Sequence, residues 1–157
     1  MNAFHAHLLV NHIPIIGVIF SLITMIVGIM SKSDAIKRTA LILVIIAGLG
    51  TFAAHVTGEK AEEASEIRND FTHQLVEQHE HASEPFFQIM MLTTIVSIAA
   101  LIFSIRHHKI GNILTYIVTA GIIAASFLAQ QAGESGGKIR HPEISSDSAS
   151  QLPSSGE

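Results

Sequence analysis

The chain has 157 residues, of which 48% are apolar and 14% are charged, and its net charge is −4. The charged fraction is well below the roughly 25% of an ordinary soluble domain. The absence of cysteine excludes disulfides, thiolate zinc sites, iron–sulfur clusters and covalently attached c-type haem. Nine basic residues against thirteen acidic ones leave no basic surface for nucleic acid.

Long apolar runs without charged residues or histidines dominate the sequence. They hold 16 to 23 residues each, close to the roughly 20 that a helix needs to cross a bilayer. The runs are apolar on every side, whereas an amphipathic soluble helix keeps a polar face. The sequence therefore predicts an all-α fold, a membrane-embedded antiparallel four-helix bundle in residues 1–141, with spans at about 13–30, 39–56, 85–105 and 110–132.

The basic residues predict the orientation of these spans. Two short connections, after the first and the third span, hold five of the nine basic residues and the single acid Asp34. Basic short loops stay in the cytoplasm. We therefore expect both termini to face outward in a multi-pass protein of the bacterial plasma (inner) membrane. The basic residues concerned are Lys32, Lys37, Arg38, Arg106 and Lys109.

The segments predicted to lie outside differ in character. The acidic stretch 59–84 contains no proline and is rich in helix formers, so we expect it to be helical. Gly136 and Gly137 are expected to end the fourth helix or to form a hinge after it. Residues 142–157, with many serines and no apolar periodicity, are predicted to be a disordered tail.

Histidines offer the only candidate chemistry. His12 starts the first span, His55 ends the second, and His79 lies just before the third, so an antiparallel bundle brings them to one depth. Imidazoles from facing helices at one depth are what a haem or a mononuclear metal site requires. The predicted ligand pair of a b-type haem is His12 and His79, with His55, His7 and His141 as further candidates.

Other interpretations of the same residues remain open. A transition-metal ion in place of haem would take His12, His79 and Glu59, because like-charged carboxylates four residues apart weaken a helix unless a cation lies between them. Alternatively, the carboxylates form a solvated acidic face and the histidines are polar residues at a membrane boundary. Four phenylalanines near the same level are candidates to wall a porphyrin: Phe52, Phe86, Phe87 and Phe127.

Several segments together resemble a known family. These are residues 7–14 (His-Leu-Leu-Val-Asn-His-Ile-Pro), residues 57–63 (Thr-Gly-Glu-Lys-Ala-Glu-Glu) and residues 77–82 (Glu-Gln-His-Glu-His-Ala). They resemble a group of small bacterial four-helix integral membrane proteins of unknown function, relatives of which occur beside cytochrome c modules. The resemblance implies a haem or metal role for His7, His12 and His79.

Taken together, these features predict a haem- or metal-binding electron-transfer module in the membrane. Its expected partners are the lipid bilayer and a cytochrome or other redox membrane subunit. The alternative is a non-redox structural or assembly subunit. A transporter is disfavoured because no ionisable residue lies in the middle of a span. An enzyme is disfavoured because no nucleophile with an adjacent base is apparent.

Overall fold

A computed structural model describes the backbone of residues 3–65 and 70–140 and the side chains of residues 7–60 and 75–138. Within these ranges the chain is all-helical, which confirms the predicted all-α class and is consistent with a four-helix bundle. The predicted tail, residues 142–157, lies outside the described residues. The helices are α1 (Ala3–Val10), α2 (His12–Met30), α3 (Asp34–Ser65), α4 (Asp70–Ile105) and α5 (Lys109–Arg140).

Four stretches are long and apolar enough to cross a membrane. Each overlaps one predicted span and is longer, since the helices continue beyond the purely apolar runs. The short helix α1 continues into α2 with only Asn11 between them, so part of α1 belongs to the first stretch. The four stretches are His7–Met30, Asp34–Lys60, Leu75–Ile105 and Lys109–Lys138.

The four long helices pack in a closed cycle. Helix α2 packs against α3 and α5, and α4 also packs against α3 and α5. The core between them contains the fully buried side chains of Met25, Leu41, Met90 and Ile122. Large apolar side chains on the outer faces of these helices are exposed, as expected for surfaces that contact lipid.

Small residues set the closest approaches between helices. A Cβ atom added at Gly17 would lie 2.7 Å from the Cβ of Ala47, and one added at Gly48 or Gly121 would collide with Thr94 or Thr93. Small residues permit such backbone proximity in apolar bundles. The packing holds α2 on α3, and α4 on both α3 and α5.

Buried hydroxyl groups are satisfied within the bundle. Those of Thr51, Thr94 and Thr115 donate to the carbonyl oxygen four residues earlier on the same helix. Ser97 instead donates across to the carbonyl oxygen of Leu41 at 3.0 Å, which ties α4 to α3. The middle of the bundle therefore has polar groups but no unpaired hydroxyl among these residues.

Two local predictions had different outcomes. Helix formation in the acidic stretch is confirmed where the backbone is described, because α3 continues to Ser65 and α4 begins at Asp70. The expected helix end at Gly136 and Gly137 is wrong, since α5 continues to Arg140. The physical reason is packing: Gly136 lies against the ring of His79, so its missing side chain makes room for a neighbour.

Candidate histidine site

His7 on α1 is held against the face of α3. Its Nδ1 lies 3.0 Å from the carbonyl oxygen of Ala54 and 3.3 Å from Oγ1 of Thr57. A carbonyl oxygen only accepts, so Nδ1 carries the proton and donates. A Cβ atom added at Gly58 would lie 3.3 Å from Cε1 of His7, so the imidazole rests directly on the helix backbone.

His79 on α4 is held in the same way against α5. Its Nδ1 lies 2.9 Å from Oγ of Ser135, whose hydroxyl proton is already donated to the carbonyl oxygen of Ala132 at 3.0 Å. With that hydroxyl proton directed at Ala132, Nδ1 donates to Ser135. A Cβ atom added at Gly136 would lie 3.2 Å from Cε1 of His79.

The two imidazoles form a pair at one end of the bundle, which we call the histidine end. Because both Nδ1 atoms carry a proton in their neutral rings, both Nε2 atoms keep a lone pair. Within the described residues neither Nε2 has a hydrogen-bond or ion-pair partner. A metal-ligating histidine has this arrangement, with the second nitrogen fixed by an oxygen acceptor.

A buried acceptor lies one helical turn from His7. The backbone N–H of Asn11 donates to the carbonyl oxygen of His7 at 2.9 Å. Oδ1 of Asn11 is buried and has no hydrogen-bond partner among the described residues. Leaving such an atom unsatisfied costs about 1–3 kcal/mol. Atoms of this kind occur where a ligand, an ion or water completes a site.

The other predicted ligands lie in different surroundings. His12, the first residue of α2, is exposed. His55 stacks on Phe87 with ring centroids 4.0 Å apart, and its Nε2 lies 3.5 Å from Oε1 of the exposed Glu59. His141 lies outside the described residues. Of the predicted ligands, the structure therefore anchors His7 and His79 on neighbouring helices at the same end of the bundle.

Other expected contributors do not gather around this pair. No group of three or more His, Asp or Glu side chains able to hold a metal ion occurs in residues 7–60 and 75–138, so His12, His79 and Glu59 do not form one. Phe86 is buried, whereas Phe52 and Phe127 are exposed on the outside of the bundle. The donor set that the structure presents consists of two imidazoles.

The sequence did not predict which helix segments support the two histidines. Residues 54–58 and 132–136 share the pattern Ala-x-x-Thr/Ser-Gly, and each pattern places a carbonyl group, a hydroxyl group and a glycine beneath one histidine. The pattern is visible in the sequence. Small residues at helical spacing are equally typical of simple helix packing, however, so the pattern alone does not identify a histidine support.

Comparisons with known proteins leave the site as the main guide to function. No protein-family model matches the chain, and no curated protein or solved structure does so either. The family resemblance therefore stays a prediction.

Proposed function

We propose that the protein is an electron-transfer module of the bacterial plasma membrane that binds one b-type haem through His7 and His79. The observation that carries the proposal is the common state of these two side chains. Each is fixed through Nδ1 to a neighbouring helix, and neither Nε2 has a hydrogen-bond or ion-pair partner among the described side chains. Two neutral imidazoles, one from each half of the bundle, are a ligand set that would hold a haem iron.

The number of donors favours haem over a bare metal ion. A protein-bound zinc or copper ion takes three or four protein ligands, and no group of three candidate ligands occurs among the described side chains. A porphyrin supplies four nitrogen donors itself, so two histidines complete the coordination. The buried ring of Phe86 lies two helical turns beyond His79 on α4.

When bound, haem supplies one-electron transfer chemistry. The residues of this chain fix the ligands and tune the iron. Ala54 and Ser135 accept hydrogen bonds from the two Nδ1 atoms, which raises the basicity of each imidazole and fixes the orientation of its ring. Neither imidazole needs to gain or lose a proton to hold the iron, as expected for the ligands of an electron carrier.

The membrane setting supports the same function. Four helices are long and apolar enough to span a bilayer, and their outer faces are covered with exposed large apolar side chains. An antiparallel bundle with its basic connections in the cytoplasm places the histidine end at the outer face. There the haem would exchange electrons with a redox subunit or a cytochrome outside the membrane.

Haem content tests this proposal. The full chain, purified in detergent from cells supplied with a haem precursor, should contain about one haem per protein and show a reduced-minus-oxidised b-type spectrum. His7→Ala and His79→Ala should each lose most of the haem. His81→Ala is the matched control, because His81 lies two residues from His79 with its side chain 82% exposed.

His12→Ala distinguishes the two possible ligand pairs. His12 is exposed, so this variant should keep its haem, whereas loss of haem would favour His12 over His7 as the partner of His79. Wild-type protein without haem and without stoichiometric metal would overturn the proposal and favour a structural or assembly subunit.

A further inference from the structure

The two helix connections opposite the histidine end share one backbone geometry. Lys32 and His107 both have positive φ values, 52° and 54°. In each connection this residue donates its N–H to the carbonyl oxygen three residues earlier, and the next N–H donates five residues back at 3.0 Å. That next residue, Ser33 or His108, then accepts a hydrogen bond through its side chain from an N–H of the following helix.

The histidine end repeats in the same way. His7 precedes Pro14 by seven residues, and His79 precedes Pro85 by six. The first half of the bundle comprises α1, α2 and α3, and the second half comprises α4 and α5. Each histidine contacts an Ala-x-x-Thr/Ser-Gly segment on the last helix of its own half: His7 contacts residues 54–58 of α3, and His79 contacts residues 132–136 of α5. Both ends of the molecule thus contain two copies of one local structure.

The order of the helices agrees with a two-fold relation between the halves. In the cycle α2, α3, α4, α5, a half turn about the bundle axis exchanges α2 with α4 and α3 with α5. It therefore exchanges His7 with His79 and Thr57 with Ser135. The two halves of the described bundle therefore contain corresponding local structures, and each half contributes one imidazole.

We infer that Thr57 and Ser135 are equivalent histidine-positioning residues of this repeated fold, and that Ser135 has the larger effect. The two hydroxyl groups occupy matching positions but carry unequal shares of the hydrogen bonding. His7 makes its shorter Nδ1 bond, 3.0 Å, to the carbonyl oxygen of Ala54 and a longer one, 3.3 Å, to Thr57. His79 makes its 2.9 Å bond to the Ser135 hydroxyl itself.

The first test uses the haem-free full chain in detergent micelles. Nitrogen NMR of selectively labelled histidines, at a pH where the rings are neutral, reports which ring nitrogen carries the proton. In Ser135→Ala the ratio of the Nδ1–H to the Nε2–H form of His79 should fall about fivefold, the effect of losing one ordinary hydrogen bond. In Thr57→Val the ratio for His7 should change less than twofold, because the Ala54 carbonyl group remains.

Ser126→Ala is the matched control. Ser126 also lies on α5, but its hydroxyl group donates only to the carbonyl oxygen of Ile122 on its own helix, so neither histidine should respond. An unchanged ratio for His79 in Ser135→Ala would overturn the inference. A larger response of His7 to Thr57→Val than of His79 to Ser135→Ala would overturn it as well.

The second test uses the haem-loaded protein and rests on the proposed function, whereas the NMR test does not. Loss of an acceptor at Nδ1 makes the imidazole a weaker donor to iron. Ser135→Ala should therefore raise the reduction potential more than Thr57→Val or Ser126→Ala. A protein that binds no haem but shows the tautomer response refutes the proposed function alone. Haem binding without the tautomer response refutes only the positioning role.

Discussion

Neighbouring glycines near the end of α5 provide a direct test of the histidine packing. Alanine in place of glycine within a helix adds up to about 1 kcal/mol to helix stability. At Gly137 a Cβ atom would have no neighbour within 4 Å. Gly137→Ala should therefore raise the free energy of unfolding by about 0.5–1 kcal/mol.

At Gly136 the same substitution should give no such gain. The added methyl group would lie 3.2 Å from Cε1 and 3.5 Å from Nδ1 of His79, so the ring must shift by a few tenths of an ångström. The shift weakens the hydrogen bond from His79 to Ser135, and an ordinary hydrogen bond contributes about 0.5–1.5 kcal/mol. The gain and the loss nearly cancel, so Gly136→Ala should be neutral or slightly destabilising.

Equilibrium unfolding in detergent micelles, followed by circular dichroism, measures both variants against the wild type. The free energies of unfolding of the two variants should differ by about 1 kcal/mol, with Gly137→Ala the more stable. Equal stabilisation by both would refute the packing of His79 on α5.

Three further predictions concern the opposite end of the bundle and the topology. Arg38→Gln should lower the free energy of unfolding by about 1.5–3 kcal/mol in the same assay, because Arg38 donates to both Oγ and the carbonyl oxygen of Ser104. The control Lys32→Gln should have almost no effect, since Lys32 is exposed. His107→Gly should raise the melting temperature, since glycine relieves a positive φ of 54° that costs other residues about 1 kcal/mol; a lower melting temperature would contradict this. A reporter enzyme fused after Glu157 should be active only outside the cytoplasm, and cytoplasmic activity would reverse the predicted orientation.

The all-helical character of the chain was accessible from the sequence, because long apolar runs without charge satisfy their backbone hydrogen bonds internally as helices. The position of His79 at one end of its helix bundle was equally accessible, since it depends only on the distance along the chain from the apolar run that begins at Pro85.

The choice between His7 and His12 was not accessible in this way. Both precede the first span by a few residues, and depth does not determine the side of the helix on which each lies. The backbone stays helical at Asn11 (φ −64°, ψ −21°), while His12 is exposed and His7 packs on α3. The placement of His7 depends on tertiary contacts with Ala54 and Gly58, which lie about fifty residues away along the chain.

The internal repeat was hidden for a related reason. Equivalent positions have the same role without the same residue: Lys32 matches His107, Ser33 matches His108, and Thr57 matches Ser135. Ser33 and His108 both accept a hydrogen bond from a helix N–H, although one uses a hydroxyl oxygen and the other a ring nitrogen. The backbone geometry and the hydrogen bonds are repeated at these positions, whereas the residue types are not.

Low-temperature electron paramagnetic resonance of the oxidised, haem-loaded protein tests the central claim most directly. Two imidazole ligands create a strong ligand field, so the wild type should show a single low-spin ferric signal. In His7→Ala and in His79→Ala the haem that remains should become high-spin, and added imidazole should restore the low-spin signal. A wild type without a low-spin ferric signal, or a low-spin signal that persists in both variants, would contradict ligation by His7 and His79.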